Sequence, residues 1–185
     1  MSVEPEEAPA SAYDMGHAEE AEDLATFAVL VDNEPGVLHR VVGLFAARGY
    51  NIESLTVAET DRKAHTSRIT IVTRGTPQVL AQIEAQLQKM VSTRHVQDVT
   101  RDPNGLEREL ALVKVRGTGA DRVEALRVGD IFRAKVIDTT HESFVFEVTG
   151  ASSKLDKFID LMRPLGLVEV SRTGVLSIER GVETL

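Results

Sequence analysis

The fold is decided around residues 26–38, TFAVLVDNEPGVL, where an apolar run meets a turn and a second apolar pattern begins. Residues 26–31 form a short apolar run rich in branched side chains, which indicates a buried β-strand. Pro35 fixes a backbone dihedral compatible with a helix start, and Gly36 lets another group approach the backbone. Apolar residues then recur at helical spacing as far as Phe45, so the stretch predicts a strand, a tight turn and an amphipathic helix.

Further elements extend this strand–turn–helix into one unit over residues 24–102. Gly49 ends the first helix, residues 61–63 make a polar hairpin turn, and Pro77 suits the first turn of a second helix. The predicted elements are a strand at Thr26–Val31, a helix at Gly36–Arg48, strands at Asn51–Ala58 and Ser67–Thr73, a helix at Pro77–Met90 and a strand at Val96–Thr100. Their order, β-α-β-β-α-β, is that of the ferredoxin-like fold.

The order of elements repeats after a linker placed at residues 103–107. The second unit, residues 108–185, is predicted to contain a strand at Glu109–Arg116, a helix at Gly119–Phe132, a hairpin of Ala134–Thr139 and Ser143–Thr149, a helix at Ser152–Met162 and one final strand at Val168–Ile178. The halves share element order rather than residues. We therefore predict an α+β protein of two tandem ferredoxin-like units, each an antiparallel sheet with helices on one face.

The net charge of −8 is concentrated at the N-terminus. Residues 1–23 contain eight acidic side chains, no lysine or arginine and no apolar periodicity, which predicts a disordered acidic tail. Because the chain has 29 acidic residues and 21 Lys and Arg, the remainder is neutral. A neutral body with 4% aromatic residues is not typical of a protein that binds nucleic acid or an anionic membrane.

Cysteine is absent, which excludes disulfides and thiolate chemistry. No apolar run approaches the ~20 residues needed to span a bilayer, and the acidic N-terminus is unlike a secretory signal. We expect a cytoplasmic protein.

The turn before the first helix has the features of an anion site. The amides of Gly36, Val37 and Leu38 belong to the first helical turn and have no intrahelical acceptor. Such a helix end, at the positive pole of the helix dipole, binds carboxylates. The pattern also fits a structural role, in which Asn33 caps the helix and Gly36 makes a tight turn. Spacing alone leaves both interpretations open.

A second polar candidate, Asn51, follows the first helix. Its side-chain carbonyl accepts and its NH2 group donates hydrogen bonds, so one amide can contact both ends of a zwitterion. Beside Gly49 it can equally be an ordinary turn residue.

The sequence offers no catalytic or metal-binding constellation. The five histidines have no ligand spacing, and neither a phosphate loop nor a dinucleotide-binding motif occurs. A ferredoxin-like acyl phosphate hydrolase would need an arginine-bearing phosphate loop after the first strand, where this chain has Asp32 and Glu34. An RNA-binding sheet would need exposed aromatic side chains. We therefore expect a chain without a catalytic centre.

Several stretches of the chain resemble the small regulatory subunit of acetolactate synthase (acetohydroxyacid synthase), a family built on the amino-acid-binding ACT domain. The resemblance covers residues 24–181, and the run at 48–55 is its most specific part. The matching runs are 32–38 (DNEPGVL), 43–45 (GLF), 48–57 (RGYNIESLTV), 82–87 (QIEAQL), 108–115 (RELALVKV), 150–156 (GASSKLD) and 171–175 (SRTGV).

The resemblance implies that the first unit is an ACT domain with a valine site. Two chains would pair side by side as a homodimer with an eight-stranded sheet and valine at the interface. One subunit would contribute the carboxylate and backbone side of the site through Asn33, Gly36, Val37 and Leu38. The other subunit would close the site with Asn51 and Ile52.

The resemblance further implies a separate catalytic large subunit that holds thiamine diphosphate, magnesium and FAD. This chain would bind no cofactor itself. It would activate the large subunit and make it sensitive to feedback by valine in branched-chain amino-acid biosynthesis. The acidic tail departs from the family pattern, and the second unit lacks the turn that would make another valine site.

Overall fold

A computed structural model describes residues 21–182 of the chain. Most of the acidic tail predicted over residues 1–23, and the last three residues, lie outside the described residues. Within the described part, the α+β class and the two ferredoxin-like units are confirmed: two antiparallel sheets each have helices packed on one face.

The first unit is a four-stranded antiparallel sheet with the strand order β2-β3-β1-β4. Its elements are β1 (Asp23–Asp32), α1 (Val37–Arg48), β2 (Ser54–Asp61), β3 (Thr66–Gly75), α2 (Pro77–Gln88) and β4 (Thr93–Asp98). The central pair, β1 and β3, runs in register from Asp23 opposite Gly75 to Asp32 opposite Thr66. Strand β2 lies at one edge of the sheet, with no described strand on its outer side.

The core of the first unit lies between the sheet and its two helices. Alternate residues of β1, among them Phe27 and Val29, are fully buried against Val41, Phe45 and Ile83 of the helices. Gly49 at a φ of 68° ends α1 and Pro77 begins α2, both as predicted. The Thr76 hydroxyl, which was not predicted, caps α2 by accepting a hydrogen bond from the Val79 backbone amide.

The second unit repeats this architecture, with the strand order β6-β7-β5-β8. Its elements are β5 (Gly105–Arg116), α3 (Gly119–Phe132), β6 (Lys135–Thr139), β7 (Ser143–Gly150), α4 (Ser152–Met162), β8 (Leu167–Arg172) and β9 (Leu176–Glu179). Its core clusters three phenylalanines, with Phe146 edge-on to Phe158 at a centroid distance of 5.8 Å and Phe144 packed beside Phe146.

Two predicted boundaries in this half are wrong. The predicted linker at 103–107 ends early, because β5 begins at Gly105 and its first four residues pair with β9. The single final strand predicted at Val168–Ile178 is broken at Gly174, which has a φ of +81°. That left-handed conformation cannot continue an extended strand, so β8 pairs with the later part of β5 and β9 pairs with its first four residues.

Strand β9 and the loop before it return to the first unit. Thr26, Ala28 and Thr70 lie on the helix-free face of the first sheet and are nonetheless buried. Hydrogen bonds from Thr56 to Val175 and from Gln97 to Glu179 show that the end of the second unit covers this face. The two units are therefore packed together.

Candidate functional site

The loop between β1 and α1 is a tight turn built by Pro35 and Gly36. Gly36 has a φ of 86° and a ψ of −3°, the values of the third residue of a type II turn, and the Val37 amide closes the turn by donating to the Glu34 carbonyl at 3.2 Å. The third position of a type II turn needs a positive φ, which glycine adopts without steric cost. Helix α1 thus starts directly from the turn.

The turn changes which amides of the helix end are available. The prediction that Val37 offers a free amide is wrong, because that N–H closes the turn. In the part of the chain that the structure describes, the amides of Gly36 and Leu38 donate no hydrogen bond. The unbonded N–H groups of Gly36 and Leu38, at the positive end of this 12-residue helix, remain available to an anion such as a carboxylate.

Asn33 lies before this turn and does not cap the helix. The residue at the cap position is Gly36, with no side-chain hydrogen bond to the helix. Asn33 is instead held by the β2–β3 hairpin. Its backbone N–H donates to the His65 backbone carbonyl at 2.7 Å, and its side-chain Nδ2 donates to Glu59 Oε1 at 3.3 Å. The structural alternative of an asparagine cap is therefore excluded, and the exposed Asn33 side chain lies at the same end of the unit as the free amides.

Two arginines neutralise the acidic side chains of the turn, and the sequence reasoning missed both. Arg40 Nη2 pairs with Glu34 and also donates to Ser92 Oγ at 3.3 Å. Arg94 Nε donates to Asp32 Oδ1 at 2.6 Å. All four charged side chains are about half exposed. Pairing with arginine removes much of the repulsion that two carboxylates would exert on an anionic ligand beside Gly36.

Asn51 and Ile52 form a second polar–apolar pair just after α1. The backbone carbonyl of Asn51 accepts a hydrogen bond from Thr73 Oγ1 at 2.6 Å, and the side-chain Nδ2 of Asn51 donates to Glu53 Oε1 at 3.1 Å. The Asn51 side chain is exposed, whereas Ile52 is partly buried against the core. The backbone of this segment is therefore tied to β3, and the side-chain carbonyl of Asn51 is free to accept a hydrogen bond.

The two groups of candidate residues lie at opposite ends of α1. The helix has 12 residues, and a rise of 1.5 Å per residue gives a length of about 18 Å. The structure brings Asn33, Gly36 and Leu38 together at one end and leaves Asn51 and Ile52 at the other. Since a small zwitterion is far shorter than this separation, one chain does not unite the two groups around a single ligand.

In residues 21–182, no group of three or more His, Asp or Glu side chains is arranged to hold a metal ion. None of the helices there is long and apolar enough to cross a membrane.

Comparison with protein families gives two matches that together span most of both units. The family described as "AHAS small subunit-like ACT domain" matches residues 27–95. The family described as "Small subunit of acetolactate synthase" matches residues 108–181. The gap between the two matches contains the connection between β4 and β5.

Individual proteins give the same result at substantial identity. A probable acetolactate synthase small subunit from Archaeoglobus fulgidus is 47% identical over 156 residues, which cover 84% of this chain and 96% of that protein. The small subunit of acetolactate synthase isozyme 3 from Escherichia coli is 46% identical, covering 83% of this chain and 93% of that protein. The crystal structure of the acetolactate synthase small subunit from Thermotoga maritima superposes with a TM-score of 0.76 at 38% identity, covering 87% of this chain and 99% of that structure.

Proposed function

The chain belongs to the family of acetolactate synthase small subunits, and from this premise we propose that its first unit binds valine and thereby makes a catalytic subunit sensitive to feedback. The family consists of regulatory rather than catalytic chains, and its members work with a separate large subunit.

One observation carries the proposal: the unbonded amides of Gly36 and Leu38 at the start of α1. A valine carboxylate that accepts hydrogen bonds from both amides gains roughly 1.5–3 kcal/mol per charged hydrogen bond before desolvation. The Asn33 side chain beside them supplies a carbonyl suited to the ammonium group. Burial of the isopropyl group adds about 1.5–3 kcal/mol.

The separation of the two residue groups supports a site shared between two chains. In a side-by-side homodimer, Asn51 and Ile52 of one chain would complete the pocket begun by Asn33, Gly36 and Leu38 of the other. Strand β2 is an edge strand of the first sheet, and pairing two such edges would give a continuous sheet of eight strands. Exposed apolar side chains on α1 and β2 favour this pairing: Leu38 at 39%, Val42 at 36% and Val57 at 46% exposure.

The proposed regulation requires that valine bind one state of the holoenzyme better than another. Coupling between two sites is typically ~1–3 kcal/mol, and by linkage the active catalytic subunit weakens valine binding by the same factor. Thiamine diphosphate, magnesium and FAD would be held by the catalytic subunit, in the cytoplasm, and this chain would contribute activation and valine sensitivity.

A reconstitution experiment tests the proposal. Acetolactate formation by a matching large subunit is measured with and without this chain, and with and without valine. We expect the chain to raise the rate and valine to lower it only when the chain is present. A rate that this chain leaves unchanged, or a chain-activated rate that ignores valine, would contradict the proposed function.

A further inference from the structure

The loop between β8 and β9 makes a specific contact with the first unit. Thr56 Oγ1 on β2 donates to the Val175 carbonyl at 2.7 Å, and the Val175 amide donates to Ser54 Oγ at 3.2 Å. Two side chains of β2 thus satisfy both backbone groups of one residue, 119 and 121 positions away in the sequence. Such pairing fixes the loop at one position along β2.

Gly174 permits this contact to form. Its φ of +81° lies in the left-handed region, and a Cβ built on it would lie 2.5 Å from Ser54 Oγ and 3.5 Å from Thr56 Cγ2. A separation of 2.5 Å is far inside van der Waals contact, so either the loop or Ser54 would have to move. Glycine is therefore required here both for the backbone conformation and for the close approach.

The other side of the loop is firmly held by the second unit. The Thr173 amide donates to the Leu110 carbonyl at 3.0 Å, and the Leu110 amide donates to Thr173 Oγ1 at 3.1 Å. Arg172 donates to the buried Glu109 on β5 and to Asp156 on α4. A displacement of the loop would therefore act on β5 and α4 together.

Strand β2 joins this loop to the residues proposed to close the valine site. Ser54 is two positions after Ile52, and the intervening Glu53 amide donates to the Val72 carbonyl at 2.8 Å. A cavity of about 670 Å³ adjoins the contact, lined by Ser54 and Leu55 on one side and by Glu109 and Arg172 on the other. On this open side of the junction, the hydrogen bonds between β2 and the second unit in the described residues are the two at Val175.

We propose that Arg172–Val175 is a latch that transmits occupancy of the Asn51–Ile52 end of the valine site to the second unit. The inference rests on the proposed function, since it assigns a route to that regulation. Ser54, Thr56 and Gly174 are positioning residues: they do not touch the effector, and they couple the start of β2 to the loop between β8 and β9. The second unit is thereby placed between the effector and the catalytic partner.

The main test compares Thr56→Val with Thr60→Val in the reconstituted holoenzyme. Thr56→Val removes the hydrogen bond to Val175, whereas Thr60→Val makes the same change on the same strand, where the hydroxyl contacts only Thr66. We expect both variants to activate the catalytic subunit without valine, and both isolated chains to bind valine with the wild-type affinity. Thr56→Val should raise the valine concentration for half-inhibition at least about fivefold, the lower end of typical couplings, and Thr60→Val should not.

Amide hydrogen exchange measures a response to valine that a purely structural role of Thr56 would not produce. In the wild-type chain, valine should alter exchange both at residues 51–57 and at residues 173–178. In Thr56→Val the first response should remain and the second should be lost. Gly174→Ala should behave like Thr56→Val. If the Gly174→Ala chain does not fold, Thr56→Val alone still tests the proposal.

The outcomes separate the latch from the proposed function. The latch alone would be overturned if Thr56→Val kept both the wild-type affinity for valine and the wild-type inhibition. It would also be overturned if, in the wild-type chain, valine altered exchange at residues 51–57 but not at residues 173–178. A wild-type chain that shows no valine binding by calorimetry would overturn the proposed function and the latch with it.

Discussion

Arg172 donates two parallel hydrogen bonds to Glu109, from Nε to Oε1 at 2.8 Å and from Nη2 to Oε2 at 2.6 Å. The Glu109 side chain is 4% exposed and that of Arg172 is 34% exposed, so the carboxylate is buried and the guanidinium reaches the surface. Ser152 Oγ adds a third hydrogen bond to the carboxylate at 2.9 Å. The pair joins β5 to β8 at Arg172, the first residue of the latch.

Replacing Arg172 should destabilise the second unit substantially. In Arg172→Leu, the Glu109 carboxylate stays buried without its partner, and loss of one member of a buried pair costs about 3–5 kcal/mol. Urea denaturation measures the free energy of unfolding. Arg163→Leu is the matched control, because its pair with Asp160 is exposed at 67% and 70% and should contribute ~1 kcal/mol or less. Equal stability of the two variants would contradict the assigned role of the buried pair.

The same pair should make stability depend on pH. Burial acts to raise the pKa of Glu109, but the hydrogen bonds from Arg172 and Ser152 outweigh it and hold that pKa below its ordinary value. A carboxyl whose pKa is lower in the folded state stabilises the fold above its unfolded pKa of about 4.3 and loses this effect as the pH falls through the folded pKa.

Glu109→Gln isolates this contribution. We expect its deficit in unfolding free energy relative to wild type to be constant above about pH 5 and to shrink as the pH falls below ~4, where the wild-type carboxyl also becomes neutral. Urea titrations at several pH values measure the deficit. A deficit that stays constant into the acid range would show that the charge of Glu109 does not contribute.

Two substitutions at Gly36 should separate the effect of backbone strain from the effect of charge in the proposed valine site. The nearest atom to a Cβ at Gly36 is Arg40 Nη1 at 3.8 Å, so Gly36→Ala fits sterically and costs ~1–2 kcal/mol for a left-handed backbone. Gly36→Asp shares that cost and also places a negative charge where the carboxylate is proposed to bind. Calorimetry should show that Gly36→Asp loses more valine affinity than Gly36→Ala, and equal losses would argue against a carboxylate at this turn.

A complementation experiment should reveal whether the site is shared between chains. Asn33→Ala and Asn51→Ala homodimers should each lose valine binding at both sites. In a mixed dimer, one site receives both substitutions and the other receives neither, because the two residues of a site come from different chains. Mixing the unfolded variants and refolding them together should therefore restore binding, with each variant refolded alone as the control. Absence of any recovery would argue against a site that is shared between two chains.

The candidate site was only partly predictable from the sequence. The turn at Pro35 and Gly36 and the helix after it follow from local signals, and the structure has them as expected. The hydrogen bond of the Val37 amide and the arginine partners of Asp32 and Glu34 were not foreseen, because Arg40 and Arg94 reach the turn through the fold and carry no local motif. The position of Asn33 against Glu59 likewise depends on where the β2–β3 hairpin folds.

The sequence by itself determined the order of elements and most of their ends, since apolar periodicity, Gly49, Pro77 and the polar hairpin turns act within a few residues. Tertiary structure decided where β5 begins, why the last strand breaks at Gly174, and how the end of the chain packs on β2. The physical reason is distance along the chain: the hydrogen bond between Thr56 and Val175 joins residues 119 positions apart, and no local preference encodes it. The same holds for the separation of the two candidate groups by the length of α1, which only the folded unit shows.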